Sequence, residues 1–227
     1  MKLALINLSA DPLIAPAVVT RIAHAIEHQA TIHYENVWQS RGASVLVYSS
    51  LEAVPNDGET CPLAIYDSPD ASDALGWHST TEAGRPFGRV FWQPVKEAGG
   101  SLLSGPTSLS TVISHEVLEM LGDPYVNWWC DAPDGQLEAL ELADRTQGDA
   151  YDIGGVSVSN FLGPRAFSAG PGPYDYLGLL KTPFEIRPGG YAIRRDPVLG
   201  VNFMWGYNVP EWKKALVEMH GRRIVRA

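Results

Sequence analysis

The chain has 227 residues, 45% of them hydrophobic, enough for one domain with a substantial core, which excludes a disordered polypeptide. The 17 basic and 26 acidic residues leave a formal charge of -9, which argues against a general phosphate-binding surface and so against general nucleic-acid binding. Two cysteines, Cys61 and Cys130, are too few for a disulfide framework, and their separation offers no paired-thiolate zinc motif.

The opening MKLALINLSADP carries a short apolar run that Asn7, Asp11 and Pro12 interrupt before it becomes a signal-peptide core. No stretch approaches the roughly 20 apolar residues that cross a bilayer, so the expectation is a soluble, unprocessed chain with no membrane insertion. KLALINL reads as a first strand. Residues 15–38 follow with Val18, Ile22, Ala25 and Ile26 near helical spacing. Further strands are expected at 43–50 (ASVLVYSS), 61–67 (CPLAIYD), 74–78 (ALGWH) and 88–95 (GRVFWQPV), with Pro94 at a strand end or edge. Residues 1–105 thus read as an α/β region built on a mixed sheet.

Pro106 and Thr107 can open a helix over about 107–121, closed by Gly122, Asp123 and Pro124. Leu109, Ile113, Val117 and Met120 share one apolar face of it, while His115 and Glu119 fall together on another and Glu116 lies at the border. That spacing lets His115 and Glu119 bind one ion while Glu116 approaches a bound water from the side. The competing reading is a buried helix in which His115 bonds a carboxylate and Glu119 pairs nearby. GQLEALELADRTQGD predicts a short second helix at about 136–144, with Glu138, Glu141 and Asp144 at three-residue spacing. An exposed acidic face is the ordinary use of such a pattern, and the two segments together favour a metal site.

With HEVLE and ELAD in place, the chain resembles the zincins, particularly the gluzincin branch. The blocks ALGWH, GRVFW, SHEVLEMLGDP, ELAD, YDIGGVSVSNFLGP and TPFEIRPGGY, over about residues 70–191, are similar to a zincin-like family of bacteria and their phages. The resemblance implies metal ligation by His115, Glu119 and Glu141, a general base at Glu116, and Asp144 in support. It implies zinc and a peptide or protein substrate. The departure from HExxH to HExxE adds an oxygen ligand, which brings calcium or manganese into competition and weakens the activation of water. The alternative is a non-catalytic, even metal-free, structural protein contacting neighbouring phage proteins. Location in the cytoplasm or in a virion fits either reading.

Among other positions, Tyr151 is the named phenol for an oxyanion donor, with packing as its other use. His78 either faces the cleft across the sheet or ends a strand. Asp123 reads as a helix stop, with a distant oxygen ligand as its other use, Trp128 and Trp129 as holding a turn against the core rather than gripping substrate, and Cys130 as a small buried residue. Asn160, Tyr174 and Tyr191 carry no rank. Residues 146–227 are expected to form a lobe rich in glycine, proline and aromatic residues, ordered by ring packing over 163–200. It ends in an amphipathic helix at about 210–220 followed by Arg222, Arg223 and Arg226. The whole is expected to be a single domain, 1–227, with metal-site helices at 106–145.

Overall fold

The apolar run Leu3-Ala4-Leu5-Ile6 becomes the middle of β1 (Lys2–Asn7) in the computed structural model, which describes residues 1–69, 74–196, 198, 200–209 and 214. All four side chains are buried because this strand lies inside a sheet covered on both faces, where a continuous apolar run is required. With β2 (Ser44–Tyr48), β3 (Thr60–Tyr66), β4 (Gly76–Thr80) and β5 (Pro86–Phe91) it forms a sheet of order β2-β1-β3-β5-β4. The first four pair in parallel, and β4 lies antiparallel to β5 at the edge. The mixed sheet expected for residues 1–105 is therefore present.

The helix expected over 15–38 runs as α1 (Pro16–His28), a π-helical stretch Gln29–Tyr34 and α2 (Glu35–Trp38). Pro16 occupies its first turn, where a missing N–H leaves no helix bond unmade. The strand expected at 88–95 ends earlier: Phe91 closes β5, and Pro94 lies in α3 (Trp92–Glu97) rather than at a strand end. It falls in the first turn of that helix, where proline is tolerated.

The central helix, α4 (Leu109–Gly122), begins two residues later than Pro106 and Thr107 suggest. Ser108 is its cap, its Oγ accepting the Thr111 N–H at 3.2 Å. Leu109, Ile113, Val117 and Met120 are buried as the spacing requires. They join Leu3, Leu5 and Leu63 of the sheet and Ile22 and Ile26 of α1 in the main core, while Ala4, Ile6 and Ala64 pack on the opposite sheet face. Leu118, on the back of α4, joins a second core with Tyr34, Leu142, Phe161 and Leu162. A helix buried between two cores must be apolar almost all round, which makes the acidic residues on it conspicuous.

Beyond α4 come β6 (Trp129–Asp131), β7 (Leu137–Ala139), β8 (Ala150–Asp152), β9 (Ser157–Ser159), β10 (Tyr191–Asp196) and β11 (Gly200–Trp205). Among the described residues they form an antiparallel sheet of order β11-β10-β7-β6 and the β8-β9 pair. The second helix expected at 136–144 is not formed. Residues 137–139 are a strand because β6 and β10 flank them, Cys130 and Arg194 both registering on Glu138. Residues 140–143 continue without regular structure into a 3-10 turn at Asp144–Thr146.

The tract 163–200 is ordered in part by ring packing, with Tyr176 stacked on Phe161 and Phe167 beside Trp38. It also contributes regular structure that was not expected, since β10 begins at Tyr191. Apart from Lys214, the helix expected at 210–220 and the arginines after it lie outside the described residues. Among the described residues no helix is long and apolar enough to cross a membrane.

Candidate metal centre

Three parts of the fold converge on one buried cluster. Helix α4 supplies His115, Glu116 and Glu119; the edge strand β4 supplies His78; the segment after β7 supplies Glu141 and Asp144. His115 Nε2 lies 3.0 Å from Glu119 Oε1 and 3.3 Å from Asp144 Oδ1. His78 Nδ1 lies 3.4 Å from Glu119 Oε2 and 3.7 Å from Glu116 Oε2. Two triads capable of holding a metal ion result, His78 with Glu119 and Glu141, and His115 with Glu116 and Glu119, each with donor atoms within 4.8 Å of one another.

Several observations fit these residues to a cation. Donors that share one ion at about 2.1 Å stand about 3–3.5 Å from each other, the spacing between each imidazole and Glu119. Glu116 Oε2 and Glu119 Oε1 are fully buried acceptors with no hydrogen-bond partner. His115 Nε2 meets Glu119 Oε1 at 3.0 Å, an ion-pair distance that two ligands of one ion also show. His78 Nε2 faces the Asp123 carbonyl at 3.3 Å. Donation to that carbonyl turns Nδ1 toward the carboxylates, a contact that a proton on Nδ1 or a cation between them would reconcile.

The same carboxylates favour positive charge at both imidazoles. Burial alone would lower both imidazoles, but the facing carboxylates outweigh it, Glu116 and Glu119 at His78, Glu119 and Asp144 at His115, and hold both well above their ordinary value. Burial raises Glu116. Burial, then the charge of Glu119, pushes Asp144 up to about 8. At Glu119 burial also favours the neutral acid, yet His115 and His78 overcome it and hold the carboxyl below its usual range. The set is closed almost everywhere, with His115 as its most open member at 15% side-chain exposure against 4–6% for His78, Glu116, Glu119 and Asp144.

The residues that sequence singled out, His115, Glu116, Glu119, Glu141 and Asp144, fall in one cluster, but Glu141 groups with His78 and Glu119 rather than with His115, and Glu116 groups with His115 and Glu119. The downstream pair arrives on a loop and 3-10 turn instead of a helix. Glu138, of the same acidic segment, points elsewhere, to Arg145 at 3.3 Å and Arg194 at 3.0 Å. His78 adopts the cleft-facing alternative. It was ambiguous because nothing in GWHST distinguishes a ligand from an ordinary strand residue until β4 is known to lie beside α4.

Tyr151 is engaged in a separate network, its hydroxyl accepting from Gln29 Nε2 at 3.1 Å and lying 2.8 Å from His33 Nδ1. Gln29 in turn accepts from Ser114 Oγ at 2.6 Å, so this network braces α4 from the π-helical stretch. Among the described residues, Tyr191 at the start of β10 is a phenol beside Asp144. Burial first, then the charges of Asp144 and Glu119, raise it well above its ordinary value.

The remaining positions have structural uses. Asp123 terminates α4, its carboxylate accepting the N–H groups of Asn127 and Trp128 at 3.1 and 2.9 Å. Trp128 is half exposed, so it does not hold the turn against the core as expected. The Cys130 thiol donates to the Glu138 carbonyl, and burial pushes it up to about 11, away from nucleophilic use. Asn160 Nδ2 donates to Asp175 at 2.7 Å, and the Tyr174 hydroxyl to the Gly170 carbonyl at 2.8 Å. No family model, curated protein or solved structure matches the chain.

Proposed function

We propose that the chain is a metal-dependent hydrolase of peptide bonds, with a zincin-like site built on α4. The observation that carries this reading is Glu116, a buried carboxylate whose Oε2 has no hydrogen-bond partner, which follows His115 in sequence, groups with it and Glu119, and lies 3.7 Å from His78 of the other triad. The mixed sheet with its antiparallel edge strand next to α4, and the acidic residues arriving from the downstream segment, support it further.

His78, Glu119 and Glu141 would hold the ion, with His115 against the other oxygen of Glu119 and Asp144 in support. A bound divalent ion, zinc by its taste for mixed nitrogen and oxygen donors and manganese or calcium by the carboxylate count, would supply Lewis-acid polarisation of the substrate carbonyl. Glu116 Oε2 takes the proton of the attacking water, and its burial suits that task by raising its basicity. Asp123 holds His78 through its carbonyl, and Tyr191, beside Asp144, would donate a hydrogen bond to developing negative charge in the role expected for Tyr151. Substrate enters at His115, where the cluster meets solvent.

The closure of the other ligands favours one second reading, a structural ion in a non-catalytic protein such as a phage particle component, since structural sites are sealed and catalytic ones keep an open position. Cleavage of an unstructured protein substrate by zinc-loaded wild type and Glu116→Gln separates the two. The hydrolase reading expects cleavage to fall about 100-fold or more in the variant with metal content unchanged. Absence of cleavage by metal-loaded wild type, or equal cleavage by both proteins, overturns it.

A further inference from the structure

We propose that the cluster holds two divalent cations, with Glu119 bridging them through its two carboxylate oxygens. This rests on the metal-binding reading above and adds to it a second ion with its own imidazole. The geometry is split about Glu119: Oε1 faces His115 Nε2 at 3.0 Å, and Oε2 faces His78 Nδ1 at 3.4 Å. The imidazoles come from different elements, His115 from α4 and His78 from β4, so each side of the carboxylate has an independent nitrogen donor.

Each side also has its own oxygen donors. Glu141 groups with His78 and Glu119, whereas Asp144 Oδ1 lies 3.3 Å from His115 Nε2. Glu116 lies between the two sets, grouped with His115 while its Oε2 is 3.7 Å from His78. A single ion would leave one imidazole-carboxylate contact without a cation. Two divalent ions would match the four buried carboxylates Glu116, Glu119, Glu141 and Asp144 in charge with both imidazoles neutral, as ligands must be. One nitrogen and several oxygens per ion is a donor set suited to zinc or manganese. Paired ions in enzymes sit about 3.5–4 Å apart, a separation that one carboxylate spans.

The test uses the full chain, stripped with chelator and dialysed against zinc or, separately, manganese. Elemental analysis is expected to return two ions per chain. Manganese-loaded protein is expected to give the electron paramagnetic resonance spectrum of an exchange-coupled pair. His78→Ala and His115→Ala should each retain one ion and lose the coupling, and circular dichroism checks that each is folded. One ion per wild-type chain with an uncoupled manganese spectrum overturns the second ion and leaves the metal site standing. No specific uptake by wild type overturns both. Because stoichiometry and coupling are read on wild type, a variant that fails to fold does not protect the proposal.

Discussion

A methyl group at position 76 would stand 2.7 Å from Glu116 Oε1 and 3.1 Å from Val112 Cγ1, so the absence of a side chain at Gly76 is what lets the Glu116 carboxylate lie against β4. Gly76→Ala is therefore expected to displace that carboxylate while leaving the ligands in place. A proton acceptor moved by about 1 Å costs on the order of 100-fold in rate. The expected result is a loss of about tenfold to 100-fold in kcat with unchanged metal content, measured by steady-state kinetics beside elemental analysis. Unchanged kcat would show that Glu116 does not act from this position. At this scale the sequence was most legible on α4, because His115, Glu116 and Glu119 are fixed relative to one another by helical spacing alone. His78 lies 37 positions upstream of His115, and Tyr191 76 positions downstream, so only the chain path joins them to the site. Tyr151, nearer in sequence, is turned by Gln29 and His33 into another network.

The segment 137–146 shows why an element can be misread while its ligands are found. Glu138, Glu141 and Asp144 have the three-residue spacing of a helix, but Leu137 and Ala139 also alternate with Glu138 as strand residues do, and β10 decides the matter by pairing Arg194 with Glu138. No local pattern contains that information, because β10 begins more than 50 residues later. Buried charge then holds the strand in place. Arg145 is 1% exposed, close to Glu138 at 3.3 Å, donating to the Ala166 carbonyl at 3.1 Å and lying over the Phe167 ring at 4.6 Å. Glu138 also receives Arg194 Nε at 3.0 Å. Because Asp144 is Arg145's neighbour and Glu141 lies between the two partners, this network positions both acidic residues at the candidate metal cluster. Glu138→Gln leaves two guanidinium groups without their common carboxylate and is expected to cost about 3–5 kcal/mol. Urea melts of wild type and variant, both free of metal, measure it. A loss below about 1 kcal/mol would show that the network does not anchor the segment.

On the scale of the whole molecule, three parts of the fold supply the cluster: the edge of the five-stranded sheet through His78, the central helix through His115 and Glu119, and the segment after β7 through Glu141 and Asp144. The broad α/β plan with its central helix was readable from apolar periodicity. The docking of the lobe was not, since its strands are short and their partners distant in sequence. An ion that binds these ligands together binds the folded chain far better than the unfolded one, so it stabilises by mass action. At 100 times its dissociation constant one such ion contributes about 2.7 kcal/mol. For a chain of this size each kcal/mol moves Tm by about 2–4 °C. Chelator-treated protein is thus expected to melt about 5–10 °C below protein with saturating zinc, by differential scanning fluorimetry. Amide hydrogen exchange should rise with chelation at 76–80 and 140–146, and rise far less in β1 and β3, which are buried in the sheet and contribute no ligand. If the rise is uniform, the ion supports the fold as one cooperative unit. If neither Tm nor exchange responds, the three parts are held without a cation, and the acidic cluster has no metal role.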